Sequence, residues 1–269
     1  EMSYNNIADT DTAIDCVCNF AEPTCVIVKH ANPCGVSSRK NLLDAYQSAF
    51  ESDPTSAFGG IIAFNEKVSG EVAQRLIDNQ FLEVVAAPAY SDESLKIFTA
   101  KPNVRVLSFK PKINDKNKIL SVSGGLLIQS ADNKIITEDN LEVVTKKEPN
   151  KDEIQNALFA WKVCKYVKSN AIVFAASEQT LGIGAGQMSR IDSGKIAASK
   201  AKEFGFSLNG ASMASDAFFP FRDNVDNAHE LGIKCIIQPG GSIKDEEVIQ
   251  AANEADMSML FTKVRHFRH

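Results

Sequence analysis

The sequence of 269 residues has a formal net charge of −5, with 44% hydrophobic and 23% charged residues. This composition argues against disorder, and the acidic balance gives no support for a protein that binds duplex nucleic acid. No apolar stretch approaches the length that a membrane span requires, and the start of the chain has no signal-peptide pattern. The length allows one large domain or two smaller domains.

The six cysteines form no Cys-x-x-Cys pair. In a chain of this size without a secretion signal, free thiols are favoured over a disulfide framework. We therefore predict a cytoplasmic protein. The chain opens with Glu1-Met2-Ser3 rather than an initiator methionine, which indicates a fragment or a processed chain.

Strands and helices alternate in the first part of the sequence. A helix capped by Asp9 or Thr10 is predicted to run toward Phe20, and the apolar run Thr24–Lys29 is typical of a buried strand. A loop is predicted at Asn32-Pro-Cys-Gly35, because proline and glycine interrupt regular structure. Further predictions are a helix at 41–52 that ends at Asp53-Pro54, a strand at 61–65, a helix at 69–79 capped by Ser69, and a strand at 83–87.

The polar residues 101–150 are interrupted by proline, which predicts an irregular or hairpin-rich connection with a strand around 126–129. Strands and helices then alternate again, which favours an α/β fold with layers of helices on a sheet. The two halves follow a similar plan, without a sequence repeat at a fixed period. Helices are predicted at 151–165, 192–204, 224–231 and 243–255, and strands at 171–176, 234–238 and 258–262.

Lys29 and His30 stand side by side at the end of the first predicted strand. In open α/β sheets, ligands collect in the crevice at the carboxyl ends of strands. A protonated amine can stabilise a developing oxyanion, and an imidazole near neutral pH can remove a proton. The pair is therefore a candidate acid and base, although spacing alone is equally consistent with a structural role at a strand end.

Three glycine-rich segments are candidates for binding phosphate. Gly182-Ile-Gly-Ala-Gly186 resembles a dinucleotide fingerprint, but its third glycine is one residue early and its flanks are predicted as two strands. Pro239-Gly-Gly-Ser-Ile243 follows a strand and opens a helix, where free N–H groups favour an anion. Ser56-Ala-Phe-Gly-Gly60 could let a ligand approach the backbone. A plain turn is also consistent with each of the last two segments.

Two other segments have unusual compositions. Residues 263–269 concentrate basic side chains, and Arg265 follows a predicted buried strand, so its guanidinium could bind a phosphate; a frayed terminus is the alternative. Residues 215–224 place three phenylalanines between Asp216 and Asp223. This pattern suits a loop that stacks on a flat ring, or a loop anchored in the core by its aromatic side chains.

Residues 30–37 can be compared with the zinc-binding motif of a known class of enzymes. Zinc nucleobase deaminases use H-x-E followed by P-C-x-x-C. Here Asn32 replaces the proton-shuttling glutamate after His30, and Ser37 replaces the second thiolate after Cys34. Too few ligands remain for a three-ligand site, so we predict no zinc.

Seven motifs occur along the chain in this order: Ser3-Tyr-Asn-Asn6, Val28-Lys-His-Ala-Asn-Pro-Cys-Gly35, Ser56-Ala-Phe-Gly59, Lys168-Ser-Asn170, Gly182-Ile-Gly-Ala-Gly-Gln-Met-Ser-Arg190, Ser215-Asp-Ala-Phe-Phe-Pro-Phe-Arg-Asp223 and Arg265-His-Phe-Arg-His269. Together they resemble the transformylase region of the bifunctional purine-biosynthesis family that combines AICAR transformylase with IMP cyclohydrolase. The resemblance covers essentially the whole chain. It implies two cytidine-deaminase-like α/β/α lobes without a zinc site, at 1–148 and 149–269, and the absence of the family's N-terminal cyclohydrolase domain.

The resemblance implies that the 5-amine of AICAR ribotide takes the formyl group of the co-substrate 10-formyltetrahydrofolate, giving FAICAR and tetrahydrofolate. It also implies a homodimer with shared active sites, and no nucleic-acid or membrane partner. Carried over by position, Lys29 and His30 are the catalytic residues. The implied AICAR contacts are His30, Gly59, Glu83, Asn170, Phe218 and Arg265; the implied folate contacts are Phe58, Arg190, Asp223, Ser242 and Ile243; and a monovalent cation such as potassium is implied near Ser169 and Asp216.

The family's full chain also has an Arg-Tyr pair upstream that touches AICAR, and this sequence does not contain it. Cyclohydrolase activity is not expected. Two functions therefore stay open: a formyltransferase, and a fragment that binds ribotide and folate without turnover.

Overall fold

An eleven-stranded mixed sheet with helices on both faces is the centre of the computed structural model, which describes residues 1–110 and 117–269. The predicted α/β class is therefore confirmed. In chain order, the first part forms α1 (Tyr4–Val17), β1 (Thr24–Lys29), β2 (Asn32–Ser38), α2 (Leu42–Ser52), α3 (Pro54–Ala57), β3 (Ile61–Phe64), α4 (Gly70–Asn79), β4 (Val84–Ala87), α5 (Asp92–Thr99) and β5 (Arg105–Ser108).

The remainder begins with a separate two-stranded hairpin and then returns to the large sheet. Its elements are β6 (Asn117–Val122), β7 (Gly125–Ser130), β8 (Glu142–Val143), α6 (Lys151–Cys164), β9 (Ile172–Ala176), β10 (Gln179–Gly184), α7 (Arg190–Glu203), β11 (Ser212–Ser215), α8 (Asp223–Glu230), β12 (Cys235–Gln238), α9 (Asp245–Glu254) and β13 (Ser258–Phe261). None of the helices in the described ranges is long and apolar enough to cross a membrane.

Strand β1 shows how the sheet separates two apolar layers. Val26 and Val28 belong to a buried cluster with α1 and α6, whereas Cys25 and Ile27 belong to a cluster with α2 and α4. Successive side chains of a strand point to opposite faces, so a continuous apolar run is buried on both. A third cluster packs α7, α8 and α9 against the other end of the sheet.

The strand order is β5-β4-β3-β1-β2-β10-β9-β11-β12-β13-β8, and the same pairing scheme lies on both sides of the β2–β10 contact. On each side an antiparallel hairpin (β1–β2 or β9–β10) pairs with an antiparallel strand (β3 or β11), and two parallel strands follow. Because β2 and β10 are antiparallel, the two sides have opposite polarity. At one edge of the sheet, which we call the Lys29 edge, β1 ends and β3 and β4 begin, while β10, β11, β12 and β13 end.

Two helices approach the sheet so closely that only glycine fits beneath them. A Cβ atom on Gly35 in β2 would lie 1.9 Å from the Ala49 carbonyl oxygen of α2, and one on Gly184 in β10 would lie 1.8 Å from the Ser193 carbonyl oxygen of α7. The glycines of 182–184 therefore serve close helix packing. The segment after them leads into α7, so the prediction of two flanking strands was wrong on that side.

The first helix begins earlier than predicted. It starts at Tyr4 because the Ser3 hydroxyl accepts a hydrogen bond from the Asn6 N–H (3.1 Å), while the Ser3 N–H donates to the Asn6 side chain (3.3 Å). This reciprocal cap satisfies two N–H groups that a helix start leaves open. Asp9 lies inside the helix and has a different partner, described below.

The predicted loop at 32–35 is also wrong, because these residues belong to β2. The chain reverses at His30 and Ala31, which both have positive φ angles (54° and 57°). Pro33 is tolerated because it lies opposite Val28, where the register of β1 and β2 shifts and a ladder hydrogen bond is not required. Most other predicted elements end within two residues of their expected positions, but α3, α5, β10 and β11 were not predicted.

Candidate active site at the Lys29 edge

The Lys29 edge brings together residues that are far apart in sequence. Val28 of β1 is opposite Ile61 of β3, and Ile61 is opposite Val84 of β4. Lys29 and Glu83, which adjoin these positions, therefore lie in one row across the sheet. At this edge β1 and β11–β13 contribute their carboxyl ends, whereas β3 and β4 contribute their amino ends.

The Lys29 ammonium is fixed by a backbone oxygen: Nζ donates a hydrogen bond of 2.7 Å to the Phe58 carbonyl. The next residue, Gly59, has a φ of 73° and donates its N–H to the Phe81 carbonyl (2.8 Å). The rings of Phe58 and Phe81 lie 5.7 Å apart and are 59% and 53% exposed. They border a groove of about 450 Å³. The Lys29 ammonium is therefore held on the backbone of a residue whose ring belongs to this exposed aromatic pair.

The backbone of His30 is held by a carboxylate that the sequence did not indicate. The N–H groups of His30 and Ala31 both donate to Asp9, at 3.1 and 2.6 Å. This bidentate contact fixes the strained turn, while the His30 side chain stays exposed. Asp9 had been assigned to a helix start, because a helix cap and a turn cap have the same local sequence signal.

The side chain of Glu83 is positioned by one hydrogen bond and that of Asn32 by two. Asn6, which is nearly buried, donates a hydrogen bond of 2.6 Å to Glu83 Oε2, so the start of α1 positions this carboxylate. Asn32 Oδ1 accepts the backbone N–H of Lys168 (2.9 Å), and Asn32 Nδ2 donates to the His30 carbonyl (3.2 Å). Asn32 therefore joins the two sides of the sheet next to the candidate base.

Four polar residues form a cluster around a buried carboxylate, which we call the buried cluster: Ser169, Asn170, Arg190 and Asp216. Asp216 is completely buried; its Oδ1 accepts Arg190 Nη2 at 2.8 Å and its Oδ2 accepts the Ser169 hydroxyl at 2.5 Å. Arg190 Nη2 also donates to Asn170 Oδ1 (2.8 Å). A buried carboxylate needs such compensation, since burial without partners carries a large desolvation penalty. Arg190 Nε is buried without a hydrogen-bond partner among the described residues.

The carboxyl-terminal segment is attached to this cluster. The backbone N–H of Ser169 donates to the Arg268 carbonyl (2.8 Å), and the His266 N–H donates to the Asp216 carbonyl (3.0 Å). These contacts favour the fixed tail over the frayed one. Arg265 itself is exposed, with its guanidinium 5.2 Å from the centre of the Phe267 ring.

His266 was not predicted as a site residue. It is 2% exposed, its Nδ1 lies 2.5 Å from Asp132 Oδ2, and its ring lies 4.7 Å from that of Trp161. Burial alone would raise the pKa of Asp132, but the hydrogen bond and charge of His266, together with Lys165, lower it below its ordinary value. The pair ties the connection after β7 to the tail that carries Arg265.

We expect Asp132→Asn to destabilise the protein at neutral pH by about 1–2 kcal/mol, through loss of a charge-assisted hydrogen bond that is partly exposed. A carboxyl with a lowered pKa in the folded state stabilises it above the unfolded pKa of about 3.9, and this contribution disappears as the pH falls through the folded pKa. Urea unfolding of both proteins between pH 2 and pH 7 measures the difference. The exposed Asp139→Asn variant is the control, and a difference that stayed constant down to pH 2 would contradict the assignment.

The remaining predicted residues follow β11 and β12 at the same edge; Asp223 is the first residue of α8, and the others lie on loops. Phe218 is partly buried, Asp223 is exposed and accepts the Asn224 N–H (2.8 Å), and Ser242 donates its N–H to Asp245 (3.1 Å). Ile243 is fully exposed. Within the described ranges, no hydrogen bond joins these residues to Lys29 or to the buried cluster. In the same ranges, no group of three or more His, Cys, Asp or Glu side chains is placed to hold a metal ion.

Most of the sequence matches the model of one known protein family. The model of a family described as the AICARFT/IMPCHase bienzyme matches residues 1–200. The matched range includes Lys29, His30, Glu83 and Asn170 but ends before Asp216 and the carboxyl-terminal segment.

Proposed function

Since the chain belongs to the AICARFT/IMPCHase bienzyme family, whose members are enzymes of purine biosynthesis, we propose that it is an AICAR formyltransferase. The reaction would move the formyl group of 10-formyltetrahydrofolate to the 5-amine of AICAR ribotide. The observation that supports this most is the fixed position of the Lys29 ammonium on the Phe58 carbonyl, next to His30 and an exposed aromatic pair. A cation, a base and a flat apolar surface are what transfer between two heterocyclic substrates requires.

The proposed mechanism assists both reacting nitrogen atoms. The AICAR amine is a poor nucleophile, because its lone pair is delocalised toward the neighbouring carboxamide. Neutral His30 takes the amine proton, directly or through the carboxamide, as the new N–C bond forms. Lys29 stabilises the oxyanion of the tetrahedral intermediate or protonates the folate nitrogen as its bond to the formyl carbon breaks. Holding both substrates together supplies the rest of the acceleration.

Binding of the two substrates is assigned to the same edge. We propose that Gly59, Glu83, Asn170 and Phe218 contact AICAR and that the exposed Arg265 guanidinium binds its phosphate. For the folate we propose contacts from Phe58, Arg190, Asp223, Ser242 and Ile243, in a homodimer with shared sites. The buried Nε of Arg190 is an available donor. All six cysteines are free thiols, which supports a cytoplasmic location.

A monovalent cation near Ser169 and Asp216 fits the described side chains poorly. Both carboxylate oxygens of Asp216 already accept hydrogen bonds, and the Arg190 guanidinium at 2.8 Å would repel a second cation. The cation stays a prediction, and no step of the proposed mechanism depends on it.

A spectrophotometric assay of tetrahydrofolate formation tests the proposal. We expect product that requires both AICAR and 10-formyltetrahydrofolate and that forms without added zinc. Calorimetric titration with AICAR provides the second measurement. Binding of AICAR without product would identify a binding fragment, whereas absence of both would remove the proposal altogether.

A further inference from the structure

Asp9 lies in α1, outside the predicted site residues, yet it holds the turn that carries the candidate base. The turn consists of His30 and Ala31, between the paired residues Lys29 and Asn32. The His30 N–H donates to Asp9 Oδ2 (3.1 Å), and the Ala31 N–H donates to Asp9 Oδ1 (2.6 Å). Hydrogen bonds to a carboxylate are stronger than those between neutral groups, so both bonds contribute to fixing the turn.

The backbone conformation of this turn favours such a contact. Hairpin loops of two residues with positive φ angles prefer asparagine and glycine, because most residues with a Cβ atom adopt this region only at a cost in free energy. Neither His30 nor Ala31 has the short polar side chain of asparagine or the freedom of glycine. The two bonds to Asp9 therefore offset part of the conformational cost from outside the hairpin.

The equivalent turn of the other hairpin, formed by Ser177 and Glu178, is held in a different way. Arg39 Nη1 donates to the carbonyl oxygens of Ser177 (2.7 Å) and Glu178 (3.2 Å). A cation on the carbonyl groups thus supports the second turn, whereas a carboxylate on the N–H groups supports the first. This fold can hold such a turn without an acid, and the acid is found at the turn that carries His30.

Asp9 is the middle member of three α1 side chains that hold different parts of the candidate site. Asn6, three residues earlier, donates to Glu83 (2.6 Å). Thr12, three residues later, accepts a hydrogen bond from Arg268 Nη2 (2.7 Å) in the carboxyl-terminal segment. Residues three apart are neighbours on the surface of a helix. One side of α1 is therefore a common support for a carboxylate, the candidate base and the tail.

Fixing the backbone at His30 limits the positions that its imidazole can reach. With the N–H bonded to Asp9 and a φ angle of 54°, only the two side-chain torsions stay free. If the turn relaxed to a negative φ angle, the imidazole would move relative to Lys29, whose ammonium is held separately on the Phe58 carbonyl. Displacement of a catalytic group by about 1 Å can lower a rate roughly a hundredfold.

We propose that Asp9 is a positioning residue that holds His30 in place to remove the AICAR amine proton. This role rests on the proposed function, because it requires His30 to be the base of formyl transfer. Both carboxylate oxygens of Asp9 are bonded to the backbone of the turn, so Asp9 acts through His30 rather than on the substrate. Loss of Asp9 should therefore lower the turnover number and leave the Michaelis constants nearly unchanged.

Steady-state kinetics of two Asp9 variants test this role. Asp9→Ala removes both acceptors and preserves α1, since alanine is the best helix former. We expect its turnover number to fall about thirtyfold to a hundredfold. The Michaelis constants for AICAR and 10-formyltetrahydrofolate should stay within about threefold of the wild-type values. Asp9→Asn keeps one acceptor oxygen, and its turnover number should lie between those of the wild type and Asp9→Ala.

Arg39→Ala is the matched control, because it removes the side chain that holds the equivalent turn at the opposite edge of the sheet. It should lower the urea concentration at the midpoint of unfolding, as Asp9→Ala does, but keep the wild-type turnover number. Equal loss of turnover in Asp9→Ala and Arg39→Ala would overturn the proposal, since a general loss of stability would explain both. Wild-type turnover in Asp9→Ala, or an effect confined to its Michaelis constants, would also overturn it.

Nuclear magnetic resonance provides a measurement that does not depend on formyl transfer. The chain has four histidines, so the ring signals of His30 can be assigned in a sample with ¹³C-labelled histidine by comparison with His30→Ala. We expect AICAR to shift these signals in the wild-type chain and to cause a smaller shift in Asp9→Ala. Amide exchange at His30 and Ala31 should be faster in Asp9→Ala.

The two measurements separate failure of the positioning role from failure of the proposed function. A wild-type chain that forms no product would contradict the proposed function. Identical amide exchange and identical ring signals in the wild-type chain and Asp9→Ala would contradict the role of Asp9, whether or not product forms.

Discussion

Replacement of Lys29 by alanine is expected to lower the turnover number of formyl transfer at least about a hundredfold, because the oxyanion or the leaving nitrogen would lose its charged donor. We expect the same for His30→Ala, since the amine would lose its base. AICAR binding should largely survive in both variants, because the resemblance assigns ribotide contacts to several other residues. Steady-state assays give the turnover number, and calorimetry gives the dissociation constant of AICAR.

Two control variants make the result specific. Lys40→Ala removes an exposed lysine at the opposite edge of the sheet, and His229→Ala removes an exposed histidine at the end of α8. Both should retain the wild-type turnover number. Near-normal turnover in either Lys29→Ala or His30→Ala would show that the chemistry has been assigned to the wrong residue.

Replacement of Asp216 by alanine is expected to destabilise the fold by about 3–5 kcal/mol, the usual cost of leaving one member of a buried ion pair without its partner. Arg190 would keep a buried positive charge, and Ser169 would lose the acceptor of its hydroxyl. Because these residues hold Asn170 and the carboxyl-terminal segment, the variant should also bind AICAR more weakly. Urea unfolding measures the first effect and calorimetry the second.

Asp192 provides the matched control. It forms an exposed ion pair with Lys195 in the first turns of α7, and the Asp192 side chain is 55% exposed. Exposed pairs of this kind contribute about 0–1 kcal/mol. If Asp216→Ala unfolded at the same urea concentration as Asp192→Ala, the buried cluster would not have the structural role assigned to it.

Local sequence signals were sufficient for much of the fold. The helix at 69–79 was predicted from its apolar spacing and from Ser69, and Ser69 does accept the Val72 N–H (3.3 Å). The prediction of a loop at 32–35 was wrong, and local sequence signals could not have corrected it. Its proline and glycine fit a strand because Pro33 lies at a register shift and Gly35 lies beneath α2, and both conditions are set by distant residues.

Part of the candidate site could be predicted from the sequence in the same way. Lys29 was predicted because it ends an obvious strand, and its contact with Phe58 joins two segments that the sequence had identified separately. The bond between His266 and Asp132 spans 134 residues and involves a histidine in a basic tail. Nothing in either local sequence indicates the other, so tertiary packing alone reveals this contact.

The repeated pairing scheme also repeats the turn that joins the two hairpin strands on each side of the sheet. The turn at Ser177 and Glu178 joins β9 to β10 as His30 and Ala31 join β1 to β2, and it has similar positive φ angles (50° and 53°). This second turn borders a cleft of about 980 Å³ at the edge of the sheet opposite Lys29, together with Arg39 and Lys234. The architecture thus repeats one turn geometry at opposite edges of the sheet, and the proposed chemistry lies beside the first turn. Positive φ angles at such a turn therefore belong to this fold and do not by themselves mark a reactive site.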